Sequence, residues 1–277
     1  MIRLTAADDS ATYVDIVAER GAIVADFVAE GRLVFYMDGE MGLDSPVIRG
    51  GNPILFPVCG AVRQGRFAGA DGFLAMPRHG FARDLPWTVV GRPFGGSTMT
   101  LQLNDSAATR RYFPYAFQLS VTYTITSGTL RVESQLRNLS ADPMPFQIGF
   151  HPYFLVVDKS TVSLQAEADD YIDTVAEVRH RGPLPQHVSS RLTDPVTNLC
   201  VSSLRSSVVT LHADGRKIEL RLGVGLSTLV LWALVNKAFV CVEPWSGSPG
   251  AFGGDAEKRL FPGEEFVADF SIHVSPE

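Results

Sequence analysis

Strict alternation of apolar and polar residues constrains this chain more than any other feature of its sequence. From Phe117 to Ile125 every second residue is apolar, and after Ser127–Gly128 the alternation resumes with Leu130, Val132 and Leu136. Successive side chains of a strand point to opposite faces, so a period of two predicts strands with one dry face and one wet face. Two such runs joined by a short turn predict an antiparallel β-hairpin.

Strand patterns recur toward the end of the chain. Phe266–Val274 alternates in the same way, whereas Leu229–Val235 and Ala238–Val242 are nearly all apolar and are separated by a turn at Asn236–Lys237. Short, continuous apolar runs bounded by turn residues are typical of strands buried on both faces. We therefore predict a pair of central strands here.

The composition of residues 12–34 would also allow a helix. Gly21 and Gly31 interrupt this segment, so strands separated by turns are favoured. Glycine and proline are scattered as turns and are not gathered in a linker, and we find no internal repeat. The sequence predicts an all-β fold, a single large antiparallel β-sandwich, with residues 1–277 as one domain.

Charge and cysteine content exclude several classes of protein. The net charge of −6 opposes binding to nucleic acid, which depends on clustered lysine and arginine. No apolar run approaches the roughly 20 residues of a membrane span, and the N-terminus lacks the apolar core of a signal peptide. Cys59, Cys200 and Cys241 show no CxxC spacing, so neither a zinc site nor a disulfide framework is indicated, and free thiols are typical of the cytoplasm. We predict a cytoplasmic protein with no metal.

Three segments carry ionisable residues in an unusual setting. Phe146–Leu155 contains His151 before a proline, Met76–Asp84 contains His79 among arginines, and Phe239–Trp245 ends an apolar run in Glu243-Pro244. Proline restricts the residue before it to extended geometry, so it holds His151 and Glu243 in place. Alone, a histidine such as His151 is more often a core residue than a proton donor.

Together these segments resemble the aldose 1-epimerase (galactose mutarotase-like) family, in particular its short bacterial branch. Its motifs occur in the family's order and span most of the chain: Gly51–Pro57, His79–Arg83, His151–Phe154, Val242–Trp245 and Phe261–Glu264. The resemblance implies a galactose mutarotase-like supersandwich and an isomerase that interconverts the α and β anomers of a sugar. The family's chemistry needs one acid and one base and no cofactor.

The resemblance also implies site residues. Glu243 corresponds to the general base and His151 to the general acid that protonates the ring oxygen, while His79 binds the sugar. Arg83 either contacts a hydroxyl or a 6-phosphate or forms a salt bridge to Asp84, and the sequence leaves both open.

Asn52 and Trp245 are further candidates for binding the sugar. Asn52 is a candidate for a hydroxyl contact, although Asn-Pro more often begins a turn. Trp245, with Tyr153 and Trp232, could flank the sugar ring.

The chain departs from the family at two places. Ala61 stands where many members have a substrate-binding arginine, with Arg63 and Arg66 nearby, and the family's middle aspartate has only Asp169, Asp170 and Asp173 as near candidates. The preferred hypothesis is an aldose 1-epimerase acting on a neutral sugar. The alternatives are a hexose-6-phosphate 1-epimerase and a non-catalytic carbohydrate-binding protein; each has a small sugar as its partner and binds neither nucleic acid nor membrane.

Overall fold

A computed structural model describes residues 1–39, 48–62, 65–69, 72–91, 96–202 and 204–277. Strands dominate this part of the chain, and helices are short: an α-helix at Ala107–Arg110 and three-ten helices at Ala82–Asp84, Lys159–Thr161 and Val188–Thr193. No helix within these ranges is long and apolar enough to cross a membrane. The all-β fold predicted from the periodicity is confirmed.

One large sheet contains the alternating segments. Its eight strands, in spatial order, are β15 (Ser163–Gln165), β19 (Val208–Ala213), β20 (Arg216–Leu222), β24 (Glu265–Pro276), β11 (Thr129–Asn138), β10 (Phe117–Thr126), β9 (Thr98–Asn104) and β8 (Thr88–Gly91). The predicted hairpin is β10 and β11, which pair antiparallel with Thr126 opposite Thr129. Its apolar positions, such as Leu119 and Val132, are fully buried, and the intervening polar positions are at least partly exposed. Ser134 and Asn138 are polar but lie in phase with the core-facing positions and are buried.

A second large sheet carries two of the three ionisable segments, and the third, Met76–Asp84, meets it only through an isolated bridge between Phe56 and Gly80. Along its main path the order is β17 (Val178–Arg181), β16 (Asp170–Asp173), β18 (Val196–Val201), β21 (Thr228–Leu234), β22 (Phe239–Trp245), β13 (Gly149–Phe150) and β5 (Ile54–Leu55), and β14 (Tyr153–Leu155) also pairs with β22. The predicted pair of central strands is β21 and β22, and every residue of β22 is buried.

Three smaller sheets complete the described part of the chain. They comprise β1 (Ile2–Thr5), β2 (Tyr13–Val17), β3 (Ile23–Ala29) and β4 (Arg32–Leu33); β6 (Arg66–Gly69) with β7 (Gly72–Ala75); and β12 (Met144–Pro145) with β23 (Arg259–Leu260). Residues 12–34 therefore form strands, as predicted, and Gly21 and Gly31 lie in the turns with positive φ.

The hydrophobic core lies between the two large sheets. Phe270 of β24 packs on Phe150 of β13 with ring centroids 4.8 Å apart, and Val240 and Val242 of β22 belong to the same buried cluster. Burial of each large apolar side chain contributes about 1.5 to 3 kcal/mol to folding. Because side chains alternate along β22, the intervening residues Cys241 and Glu243 point to the opposite face of the sheet.

Candidate active site

Glu243 lies in the middle of the second large sheet, on the face away from the core. It is opposite Val230 of β21, and its side chain is 2% exposed. Its neighbours on this face, two residues away in each direction along β22, are Cys241 and Trp245. A carboxylate is thus held on rigid backbone in a largely apolar environment, which is unfavourable for its charged form.

His151 reaches the same place from the segment between β13 and β14. Its backbone N–H donates to the carbonyl of Pro53 at 3.1 Å, and its ring stacks on Tyr153 with centroids 4.6 Å apart and an interplanar angle of 8°. Tyr153 in turn pairs with Cys241 of β22. This register brings His151 Nε2 to 3.4 Å from Glu243 Oε1.

His79 approaches from a turn that glycine makes possible. His79 has a φ of 67° and the next residue, Gly80, a φ of 72°; a Cβ on Gly80 would lie 2.0 Å from the carbonyl oxygen of Phe56. The Nδ1 of His79 accepts a hydrogen bond from Gly60 N–H at 3.1 Å, so the neutral ring carries its proton on Nε2. Its ring centroid is 5.5 Å from that of His151 and 5.8 Å from that of Trp245.

These residues line a cavity of about 260 Å³. Its wall within the described residues contains both histidines, the Glu243 carboxyl, three arginines and three aromatic side chains, with Asn198 and two aliphatic residues. The lining residues are Ile48, Arg49, Arg78, His79, Arg83, His151, Tyr153, Asn198, Val230, Trp232, Glu243 and Trp245. A concave, mainly apolar site with a few convergent polar groups is the usual form of a small-molecule site.

Burial dominates the protonation of this site. It raises the pKa of Glu243 well above 4.5, an effect partly offset by the nearby Trp245 indole and the arginine side chains of Arg78 and Arg83. Burial lowers the pKa of His151 to about 3, and burial together with His151 and the arginines lowers that of His79 to about 2. Both histidines are therefore neutral near pH 7, and the proton of the pair favours Glu243.

The structure brings five of the six predicted site residues together. Glu243, His151, His79, Arg83 and Trp245 all line the cavity. Arg83 forms the predicted ion pair, with its Nε 3.8 Å from Asp84 Oδ2, and it also lines the cavity, so its contact with a sugar hydroxyl or phosphate stays a prediction. Its Nη2 also donates to the carbonyl of Arg78 at 3.1 Å.

Asn52 is the residue that the structure does not bring to the cavity wall. It is 0% exposed, its backbone N–H donates to Val24, and its amide atoms find no hydrogen-bond partner among the described residues. Of the possible substitutes for the arginine missing at Ala61, Arg63 lies outside the described residues and Arg66 begins β6.

Two polar lining residues, Asn198 and Arg49, lie outside every motif singled out from the sequence. Asn198 sits on β18 directly opposite Trp232 of β21, a cross-strand relation that only the register shows. Arg49 also lines the cavity. Both lie in segments without a local motif, so their place in the cavity wall can be recognised only from the fold.

The aspartates considered for the family's middle position do not line the cavity. Asp169, Asp170 and Asp173 form ion pairs with Arg205, Arg179 and Arg191, respectively. Asn198 lines the wall instead, which places an amide and no second carboxylate in the described part of the site.

Comparison with known proteins agrees with this architecture. The family model described as Aldose 1-epimerase matches residues 6–273. The structure of the Slr1438 protein of Synechocystis sp. PCC 6803 superposes on this chain with a TM-score of 0.89 at 34% sequence identity. The match covers 98% of this chain and 94% of the Slr1438 chain. A galactose mutarotase-like protein from Lactobacillus casei ATCC 334 has a TM-score of 0.80 at 23% identity, covering 99% and 100% of the two chains.

A shorter match comes from Salmonella typhimurium. A protein provisionally named glucose-6-phosphate 1-epimerase is 32% identical over 135 residues, which are 48% of this chain and 41% of the relative. Taken with the fold, these matches define the class as galactose mutarotase-like. The chain belongs to the aldose 1-epimerase family.

Proposed function

We propose that this protein is an aldose 1-epimerase, an enzyme that interconverts the α and β anomers of a sugar. The observation that carries the proposal is the pair His151 and Glu243, with Nε2 and Oε1 3.4 Å apart in a cavity large enough for a monosaccharide. Glu243 forms no ion pair with an arginine among the described residues; its ionic partner there is His151. A structural salt bridge therefore does not account for this carboxyl.

The pair fits the proton transfers that the reaction requires. One group removes the proton from the anomeric hydroxyl while the other protonates the ring oxygen, the bond from C1 to the ring oxygen breaks, and an open-chain aldehyde forms. After rotation about the C1–C2 bond, the carbonyl is attacked from its other face and both protons return. Burial raises the pKa of Glu243 and lowers that of His151 to about 3, so a proton on the pair favours Glu243, and one group can donate while the other accepts.

His79 assists without taking part in the net transfer. Because Gly60 N–H occupies its Nδ1, its Nε2–H is the available donor for a sugar oxygen. A fixed donor at the ring oxygen stabilises charge as it develops in the transition state. Trp245, Trp232 and Tyr153 supply the aromatic surfaces on which carbohydrate rings commonly pack.

A phosphorylated aldose is a second candidate substrate, and the arginines favour it. Arg49, Arg78 and Arg83 line the cavity, and Glu243 is the one carboxyl among the lining residues described. This positive wall supports an anionic substituent such as a 6-phosphate, which arginine binds in bidentate fashion. The sequence favoured a neutral sugar because of Ala61, and the charge of the described cavity argues against that preference.

The catalytic proposal is tested by polarimetry on a freshly dissolved α-anomer. Glu243→Gln and His151→Ala should each lower the rate at least about a hundredfold while the protein stays folded, since each removes one half of the proton transfer. His212→Ala is a matched control, because His212 pairs with Glu277 outside the cavity. Activity of either site variant within a few-fold of wild type would contradict the assignment.

The substrate is decided by kcat/KM for glucose, galactose and glucose 6-phosphate. A preference for the phosphate of more than about tenfold that Arg83→Ala removes would support the phosphorylated substrate, since a charge-assisted hydrogen bond contributes about 1.5 to 3 kcal/mol. Arg110→Ala, whose ion pair with Asp105 lies elsewhere, is the control. Preference for a neutral sugar would support the first candidate, and no turnover of any sugar would favour a non-catalytic binding protein.

A further inference from the structure

Three side chains with the donor atoms of a transition-metal site converge at the cavity: His151 and Glu243 line its wall, and Cys241 is buried beside them. One donor atom each of His151, Cys241 and Glu243 lies within 4.8 Å of the other two, and all three residues are buried. Their convergence follows from the sheet: Cys241 and Glu243 are two residues apart on one face of β22, and the cross-strand partner of Cys241 is Tyr153, on which His151 stacks.

The spacing fits a tetrahedral ion. Zinc binds imidazole nitrogen and carboxylate oxygen at about 2.0 to 2.2 Å, so two such ligands lie about 3.3 to 3.6 Å apart around a tetrahedron. The distance from His151 Nε2 to Glu243 Oε1, 3.4 Å, falls within this range. With a zinc–sulfur bond of about 2.3 Å, the thiol would lie about 3.6 Å from each. The Cys241 sulfur lies within 4.8 Å of one donor atom of each partner, which is at most about 1.2 Å beyond this spacing, a gap that a small side-chain adjustment closes.

The charges of the three ligands also suit a divalent cation. A neutral His151 with a Cys241 thiolate and a Glu243 carboxylate carries two negative charges, which one divalent ion neutralises. His151 and Glu243 line the cavity, which leaves the fourth position of a tetrahedron open toward the space that a sugar would occupy. Three protein ligands plus one open position is the arrangement of exchangeable zinc sites.

We propose that His151, Cys241 and Glu243 bind a thiophilic divalent cation such as Zn²⁺, and that the bound ion reversibly inhibits the enzyme. Binding occupies the Nε2 and the carboxylate that would move protons, so the sugar can no longer be deprotonated and protonated. The ion is an inhibitor and not a cofactor, and the metal-free mechanism is unchanged. Inhibition rests on the proposed function, whereas binding of the ion does not.

Binding of the ion displaces the protons of two ligands. Cys241 and Glu243 must each release their proton to the solvent, because thiolate and carboxylate are the ligating forms. The three ligands have no CxxC spacing, and His151 comes from a different segment, so the site has no local sequence signature.

Binding is tested first, with Co²⁺ as a spectroscopic probe and Zn²⁺ as its competitor. Wild type should give a thiolate-to-cobalt charge-transfer band that saturates at one ion per chain and disappears when Zn²⁺ is added. Cys241→Ser should lose this band and weaken Zn²⁺ binding by more than about tenfold, because even outer-shell changes in metal sites cost about 10- to 100-fold. Cys200→Ser is the matched control, a buried thiol near Glu243 but outside the trio, and should keep the band.

Inhibition is then measured by polarimetry against the metal-free rate of each variant. Zn²⁺ should inhibit wild type and Cys200→Ser, a chelator should restore both, and Cys241→Ser should resist. A wild-type protein that turns over sugar but shows no thiolate band at pH 8 would overturn the proposal. So would a folded Cys241→Ser variant that binds Zn²⁺ as tightly as wild type. If no sugar is turned over, the proposed function fails while the cobalt titration still decides the metal site.

Discussion

Replacing Glu243 by glutamine should stabilise the protein, and increasingly so as the pH rises. Burial raises the pKa of Glu243 well above 4.5 in the folded state, whereas the unfolded chain loses this proton near pH 4.3. Above that pH the folded wild type holds a proton that the unfolded chain has released, so its free energy of unfolding falls until the folded pKa is reached. Glutamine does not titrate, so Glu243→Gln is free of this loss.

The size of the stability gain is set by one proton, which the folded wild type holds and the unfolded chain has released. One proton changes the free energy of unfolding by at most about 1.4 kcal/mol per pH unit, so the advantage of the variant should grow with pH until the folded pKa of Glu243 is reached. For chains of 150 to 250 residues, 1 kcal/mol shifts Tm by about 2 to 4 °C, and this chain has 277 residues. A gain of several degrees is therefore expected. His151, neutral in both folded proteins, contributes equally and cancels in the difference.

Thermal melts of wild type and Glu243→Gln at half-unit steps from pH 4.5 to 8 measure this difference. Glu19→Gln is the control, because Glu19 is exposed to solvent in the folded protein, and its difference from wild type should not grow with pH. A Glu243→Gln variant that is less stable than wild type throughout this range would refute the reasoning. That result would mean that Glu243 and His151 form an ion pair that stabilises the fold.

Three shorter predictions test other parts of the structure. Gly80→Ala should lower the free energy of unfolding by more than about 1 kcal/mol, because its Cβ would lie 2.0 Å from the carbonyl oxygen of Phe56; melts that match wild type would contradict the close approach. Asn198→Ala should lower kcat/KM by about 2- to 15-fold through a lost hydrogen bond to the sugar, and unchanged kinetics would remove Asn198 from the site. Exhaustive chelation should not reduce the rate, since the reaction requires only an acid and a base, and a loss that a divalent ion restores would reveal a metal requirement.

Local patterns predicted most of the fold. The alternation along residues 117–136 gave the β10 and β11 hairpin, and the apolar runs around Asn236–Lys237 gave the buried pair β21 and β22. Periodicity predicts these strands because the pattern of apolar and polar residues within each strand shows which of its faces is buried. Gly21 and Gly31 likewise marked turns, since glycine readily adopts a positive φ.

The candidate site was predictable only where a motif carried it. His79, His151 and Glu243 each lie in a distinctive segment, and the resemblance to a family supplied their roles. Asn198 and Arg49 reach the cavity through strand register and chain packing, which no local pattern encodes. The sequence also could not show whether Asp170 or Asp173 lines the site, because the arginines with which they form ion pairs become their neighbours only in the fold.

We propose that His151 and Glu243 act as one acid–base unit when the enzyme exchanges sugar anomers. Exchange NMR on an equilibrated α and β mixture measures that rate without coupling enzymes, for wild type, Glu243→Gln, His151→Ala and the double variant. Groups that act as a unit are strongly non-additive, so the double variant should be within a few-fold of the slower single variant. If the fold-losses in exchange rate of the two single variants multiply in the double variant, the two residues do not act as a unit. A wild-type protein that exchanges anomers no faster than the uncatalysed sugar would contradict the catalytic role of both.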